Sequence, residues 1–288
     1  MNDPAASRGS AGGRLGRRWN GAWRIFATGF SFACFGIGAV LLGFTVWPVL
    51  RLSSGNRDVA DARVQRAVSR SMRVFVWLMK SLGLLTYEIR GLEKLAARGQ
   101  FVIANHPTLI DVVYLVGLMP EVDCIVKQAL WRNVFLRWPV YWAGYISNET
   151  GEGLVAACAA TLARGRSLVV FPEGTRTRPG EPLNFHRGAA QIALTARVPL
   201  RPVTITCDPI TLFKGNSWFR VPPQRPHWVI AVGDPIPVEP YLNEPQALAA
   251  RHLTQALIRW FEVSIKQQLG GSPGAPPDAG ESQHRRQQ

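Results

Sequence analysis

Cysteine is scarce in this chain. Cys34, Cys124, Cys158 and Cys207 are the four in 288 residues, far apart, with no CxxC pair and no nearby histidine at metal-ligand spacing. That pattern excludes a disulfide framework and gives no zinc site, leaving four small packing residues in a reduced compartment. Charge is also in short supply. Only 18% of residues are charged, where an ordinary soluble domain carries roughly a quarter. Acidic residues are the scarcer sign, 19 against 33 Lys and Arg, for a formal charge of +14. With 47% hydrophobic residues the chain is too apolar to be disordered or collagen-like. It has no internal repeat and no recognisable nucleic-acid-binding module.

What is present is unevenly placed. Residues 1–100 hold 15 basic and 5 acidic side chains, so +10 of the +14 lies there. A basic end fits nucleic acid or an anionic membrane surface, and the apolar content of the same end favours the membrane. Between Arg24 and Arg51 run 26 residues without a charge, Ile25 to Leu50. That is long enough to cross a bilayer as a helix, and longer than the roughly 7–15-residue core of a secretory signal. Arg8, Arg14, Arg17, Arg18 and Arg24 precede the run, while Arg51, Arg57, Arg63, Arg66, Arg70 and Arg73 follow it. The positive-inside bias therefore favours neither orientation, and a re-entrant or in-plane element with both flanks cytoplasmic satisfies both sets. Residues 72–85 form a second, shorter apolar stretch suited to an interfacial helix. The expected organisation is a basic flexible tail over 1–24, a membrane-attached helical segment over 25–85, an α/β domain over 86–270 and a disordered tail over 271–288.

From about residue 86 short apolar runs alternate with helical patterns. Strands are expected at 101–104, 122–126, 167–171, 202–206 and 228–232, and helices at 107–118, 152–164, 187–197 and 244–268. The last helix is amphipathic, with Leu253, Leu257, Trp260, Phe261 and Ile265 at helical spacing. Such alternation predicts an α/β fold, a mixed sheet covered by helices, with sites beyond strand ends where strand passes to helix.

Two segments occupy that kind of position. Asn105-His106-Pro107-Thr108-Leu109-Ile110-Asp111 follows the strand 101–104. Pro107 keeps His106 out of the helical region and is comfortable at a helix start, so His106 sits at the junction, where a carboxylate from the second turn can meet it. An imidazole anchored to Asp111 is a general base for a substrate hydroxyl, with no enzyme nucleophile required. The structural alternative is a helix-capping histidine with Asp111 on the surface. The second segment, Phe171-Pro172-Glu173-Gly174-Thr175-Arg176, follows the strand 167–171. Gly174 permits a tight turn and Arg176 presents a planar fork suited to phosphate, which makes an anion clamp. Its alternative is a solvated charged turn.

NHPTLID resembles the N-H-x4-D motif, and FPEGTRT the F-P-E-G-T-R motif, of the glycerolipid acyltransferase family, typified by 1-acylglycerol-3-phosphate acyltransferases. Two weaker blocks, Gly144-Tyr145-Ile146 and Val198 to Val203, fall in matching order, and the resemblance covers about 90–240. It implies an O-acyltransferase with His106 as base and Asp111 as its partner. Glu173, Gly174, Thr175 and Arg176 would hold the acceptor headgroup, with Lys127 and Arg187 lining the cleft. The acyl donor would be acyl-CoA or acyl-carrier protein and the acceptor a lysophosphatidate-like or other lysophospholipid hydroxyl, with membrane lipids as partners and no metal or redox cofactor. Attachment through an N-terminal helical element, with the catalytic part on the cytoplasmic face, is similar too. One position departs. Family members acting on lysophosphatidate carry an arginine where this chain has Asn148, which opens the acceptor to other lipid-like hydroxyl compounds. A non-catalytic membrane adaptor explains the basic N-terminus but leaves both motifs as coincidences.

Overall fold

The computed structural model describes residues 9–126, 133, 137–148 and 153–270. Its centre is a seven-stranded sheet. The strands are β1 (Thr86–Arg90), β2 (Phe101–Ala104), β3 (Val122–Val126), β4 (Ile146–Ser147), β5 (Ser167–Val170), β6 (Leu200–Asp208) and β7 (His227–Val232). Their order is β1-β7-β6-β2-β5-β3-β4, with every neighbouring pair parallel except β6 and β7. The expected mixed α/β sheet is therefore the fold.

Both faces of the sheet are covered, which is why its central strands are continuously apolar. Val102, Ala104 and Val169 face one core, shared with α3 (Arg57–Ser81), α4 (Asp111–Leu118) and α5 (Arg137–Trp142). Phe101, Ile103, Leu168 and Val170 face the other, shared with α6 (Gly153–Ala163), α7 (Gly188–Ala196) and α8 (Gln246–Gly270). The chain leaving β2 enters α4 on the first face, and the chain leaving the adjacent strand β5 enters α7 on the second. Connections that part to opposite faces open a crevice between two strand ends, the usual place for a ligand in an α/β sheet.

At the N-terminus, α1 (Gly9–Phe44) and α2 (Val46–Leu52) are separated at Thr45. Pro48 lies four residues beyond Phe44 and cannot donate to its carbonyl. Helix α1 reaches back to Gly9, into the stretch assigned to a basic tail, and no proline interrupts the chain between Pro4 and Pro48. The segment Asn20–Leu52 is long and apolar enough to cross a membrane by length and composition. Its contacts run along its length. Arg24 donates to the carbonyls of Pro222 (2.6 Å) and Pro223 (3.3 Å), Ala27, Ser31, Ala39 and Trp47 are buried, and Arg51 pairs with Asp61. On its outward side Phe26, Phe30, Ile37, Leu41 and Phe44 recur at helical spacing and are exposed.

The stretch 72–85 is not a separate interfacial helix. Residues 72–81 are the end of α3, which begins where Asn56 Oδ1 accepts from the Asp58 and Val59 amides, and 82–85 lead into β1. Val68, Phe75, Val76 and Met79 repeat at helical spacing and are buried in the same core as the sheet, while Val74 and Trp77 point outward. The arginines between them conceal this face from a reading by apolar runs. The tail 271–288 lies outside the described residues.

One ion cluster ties the first helices to the sheet. The Arg166 guanidinium, just before β5, donates from Nε and Nη2 to Asp123 in β3 (2.8 and 3.0 Å) and from Nη1 to Asp61 in α3 (3.2 Å). Gln65 Nε2 adds a bond to Asp123 Oδ1 at 3.0 Å. Burial pushes the Asp123 carboxyl up, and Arg166 beside it pulls it back down. Removing one partner of a buried pair strands the other, typically at about 3–5 kcal/mol. Arg166→Met is therefore expected to lower the unfolding free energy by about 3 kcal/mol or more. Urea unfolding in a fixed detergent, with a midpoint matching the wild type, would refute it.

Candidate active site

Strand β2 ends at Ala104, but its ladder continues through a side chain. Asn105 Nδ2 donates to the Ile205 carbonyl (2.8 Å), and the Ile205 amide donates to Asn105 Oδ1 (2.7 Å). The carboxamide thus takes the place of a peptide beside β6, and both buried backbone groups of Ile205 are satisfied. The backbone of residue 105 is released from the sheet, and His106 turns out at the strand end.

The following turn is shaped by Asp111. Its carboxylate is fully buried. Oδ2 accepts from the Thr108 amide at 2.6 Å and lies 2.9 Å from His106 Nδ1, while Oδ1 accepts from the Thr108 hydroxyl. Residues 107–110 are not helical, and α4 starts at Asp111 rather than at Pro107. Asp111 is thus the first residue of the helix and not part of its second turn, because its side chain caps Thr108 and holds the preceding residues in a turn. That placement also sets the anion at the positive end of the helix dipole. A buried carboxylate only accepts, so His106 Nδ1 carries the proton toward it and Nε2 is left with a lone pair. The Phe171 ring lies 4.4 Å from the imidazole centroid, at 32°.

The second motif meets the first across the crevice. The Glu173 side chain is turned inward, where Oε1 accepts from the His106 amide at 2.8 Å. The Thr177 amide donates to the His106 carbonyl at 3.1 Å. Both backbone groups of His106 are therefore held by the FPEGTRT stretch, 171–177. Glu173 was expected at the acceptor headgroup, and its burial against the histidine loop is the principal difference from that expectation. Burial pushes its carboxyl up to about 7, against the opposing bond from the His106 amide, and Asp111 adds to the rise.

Gly174 adopts φ +63°, and a Cβ there would approach His186 Cδ2 to 3.1 Å. This is the turn that required glycine in the sequence. Arg176 is half-buried and donates from Nη1 to the carbonyls of Leu212 (2.9 Å) and Phe213 (3.4 Å). Leu212 also accepts from the Leu109 amide at 3.0 Å. One carbonyl thus joins the histidine loop, the arginine loop and the connection between β6 and β7. Thr175 is half-buried next to Arg176, and Arg187 is exposed at the residue preceding α7. Lys127 lies outside the described residues. Asn148 is exposed beyond the end of β4, two strands from β5 and on the same end of the sheet. At about 4.8 Å per strand that is roughly 10 Å away.

Sequence reasoning singled out His106, Asp111 and the FPEGTR loop. It missed Asn105 as a strand substitute, the inward role of Glu173, and two residues behind Asp111, Thr108 and Trp228. Asn105 and Thr108 lie inside the motif and were open to inspection. No local pattern connects Trp228 to residue 108.

A match to the family described as Acyltransferase covers residues 86–206. Over 148 residues the chain is 25% identical to a 1-acyl-sn-glycerol-3-phosphate acyltransferase of Pseudomonas aeruginosa, covering 49% of this chain and 58% of that protein. The segment that carries both motifs is thus similar to acyltransferases. A lyso-ornithine lipid O-acyltransferase of the same bacterium is 29% identical over 175 residues, 59% of this chain and 65% of the relative. The chain spans about half to two thirds of the length of the curated relatives it matches. In fold it is similar to the crystal structure of the 1-acyl-sn-glycerophosphate acyltransferase PlsC from Thermotoga maritima. That likeness has TM-score 0.64 at 18% identity and covers 90% of this chain and 99% of the other. Within the matched segment, both motif loops converge on His106.

The raised Glu173 carboxyl has a consequence for stability. A folded-state value of about 7 against an ordinary 4.5 means that the protonated form favours folding. That contribution is fully present below about pH 4.5 and is lost as pH rises through about 7. Glu173→Gln keeps an acceptor oxygen for the His106 amide and cannot ionise. Between pH 5 and pH 8 the wild type is expected to lose stability relative to this variant, as read from urea midpoints. Parallel pH profiles for the two proteins would contradict this.

Proposed function

We propose that this chain is an O-acyltransferase that moves a fatty acyl group from an acyl thioester to the hydroxyl of a lysophosphatidate-like or lysophospholipid acceptor. The observation that carries the proposal is His106, held at Nδ1 by a fully buried Asp111, with its side chain partly exposed and its backbone met by the FPEGTRT loop. In this reading Nε2 takes the proton of the acceptor hydroxyl as its oxygen attacks the thioester carbonyl carbon. The tetrahedral adduct collapses with cleavage of the carbon–sulfur bond, and the imidazolium returns its proton to the departing thiolate. The products are an ester and a free thiol, and no covalent enzyme intermediate forms.

Gly174, Thr175 and Arg176 are assigned to the acceptor headgroup, with Lys127 and Arg187 at the cleft rim. Glu173 is assigned to holding the histidine loop. The donor is acyl-CoA or acyl-carrier protein; both are anionic, which suits a chain of charge +14. The acyl thioester is the only co-substrate, and no metal or redox cofactor takes part. We place the protein on a membrane with α1 and α2 in the plane of the surface and the α/β part on the cytoplasmic face. Support comes from Arg24 and Arg51, near opposite ends of the apolar segment: Arg24 binds the connection between β6 and β7, and Arg51 binds Asp61 of α3, whose inner face shares a core with the sheet. The exposed row from Phe26 to Phe44 then faces lipid. A non-catalytic adaptor would have no use for a buried carboxylate aimed at a half-exposed imidazole.

Purified protein in detergent, given labelled acyl-CoA or acyl-carrier protein and a panel of lysolipids, is expected to transfer label. His106→Ala should lower turnover by roughly 10²–10⁴-fold, and Asp111→Asn should be similarly impaired with its fold intact. Near-normal turnover in either purified variant would remove His106 from the role of base.

The acceptor is narrowed by Asn148. A phosphomonoester headgroup carries nearly two charges at neutral pH, and a neutral amide stands where lysophosphatidate-directed members carry arginine. One relative named for a lyso-ornithine lipid acceptor supports a broader choice. A lysophospholipid with a substituted phosphate, or another lipid-like hydroxyl compound, is expected to react comparably with lysophosphatidate or better, and Asn148→Arg should shift preference toward lysophosphatidate. A competition assay in which the wild type takes lysophosphatidate at least a hundredfold better than all others would refute this.

A further inference from the structure

Behind the His106–Asp111 pair lies a second layer of hydrogen bonds whose direction is fixed by chemistry. Trp228, on β7, is 1% exposed, and its indole Nε1 donates to the Thr108 hydroxyl at 3.2 Å. An indole N–H only donates. The hydroxyl must therefore accept from Trp228, and its single hydrogen points to Asp111 Oδ1, with which it is in hydrogen-bond contact. Thr108 and Asp111 are both fully buried, so water does not compete for these groups. Thr108 also reaches the other carboxylate oxygen through its own amide, at 2.6 Å.

We infer that Thr108 and Trp228 are positioning residues of the transfer reaction, acting on His106 through Asp111; the inference rests on the acyltransferase reading. The two bonds from Thr108 fix the plane of the carboxylate. Oδ2 is thereby aimed at His106 Nδ1, which sets the tautomer and the direction of Nε2. Trp228 acts one step further back. It locks the hydroxyl rotor and so prevents Thr108 from turning its hydrogen elsewhere. The sequence separation of 120 residues means that β7, which follows the motif region, reaches the base through its packing against the first core. A polar chain in a dry site couples its members, and the loss of a charge-assisted bond there is felt along it.

The test compares kcat and KM for wild type, Thr108→Val, Thr108→Ser, Trp228→Phe and the Thr108→Val/Trp228→Phe double variant, using labelled acyl-CoA or acyl-carrier protein and the acceptor the wild type prefers. Thr108→Val keeps the shape and removes the hydroxyl. It should lower kcat by roughly 10- to 100-fold with both KM values within about twofold. Thr108→Ser restores the hydroxyl and should recover most of kcat. Trp228→Phe should lose less, roughly 3- to 10-fold, and the double variant no more than Thr108→Val alone. Thr108→Val with kcat within twofold of wild type, Thr108→Ser as impaired as Thr108→Val, or fully additive losses in the double variant would each overturn the inference. Should Thr108→Val not fold, the serine and phenylalanine variants decide: a serine variant near wild type with a phenylalanine variant reduced in kcat alone supports the inference, and any other pattern overturns it. A wild type that transfers no acyl group would overturn the acyltransferase reading and this inference with it.

Discussion

A carboxylate sealed from water must be surrounded by donors or be neutralised, and in this protein that constraint is placed at Asp111. Its two oxygens are met by the Thr108 amide, the Thr108 hydroxyl and His106 Nδ1. The turn over 107–110, the start of α4 at Asp111 and the orientation of the imidazole all follow from satisfying that one group. The local sequence is therefore short of freedom. Pro107 restricts His106, Thr108 supplies two donors at once, and the helix dipole lowers the cost of keeping the charge buried.

The sheet provides the other half of the arrangement. Asn105 ends the ladder with a side chain instead of a peptide, so the next residue can leave the sheet without abandoning the buried amide and carbonyl of Ile205. The freed His106 amide is then taken by Glu173, which arrives from the adjacent strand. Two loops that diverge to opposite faces of the sheet are thus joined through the backbone of a single residue. The imidazole is held by Asp111 and its backbone by Glu173 and Thr177, so the protein's own groups fix its orientation.

Much of this was legible in the sequence, and the failures have physical causes. Strands β2 and β3 match their expected bounds, because buried parallel strands read as compact apolar runs. Strand β1 was missed since Thr86–Arg90 carries Glu88 and Arg90 at the sheet edge, and β4 since two residues give no period. The first half of α3 was missed because its core face is diluted by arginines on the outer side. At the site, the His106–Asp111 pairing was correctly read from position and type. The direction of Glu173 was not legible, because sequence shows a carboxylate next to an arginine but not which way it turns. Burial, with the His106 amide 2.8 Å away, decides that. Trp228 was invisible for a different reason: its partner is 120 residues distant, and only the return of β7 to the sheet brings them together.

The placement of α3 bears on how such a chain can be altered or inherited. Val64, Val68, Phe75, Val76 and Met79 share one core with Val102 and Val169 from the sheet and Leu115 from α4, and Arg166 fastens the same helix to β3 through two carboxylates. A boundary drawn by hydropathy near residue 85 would cut through that core instead of between two units. The apolar N-terminal part and the motif-bearing part are consequently not interchangeable modules. A chimera that borrowed the N-terminal helices of a distant relative would have to inherit the matching sheet face as well, so these segments are constrained to diverge together.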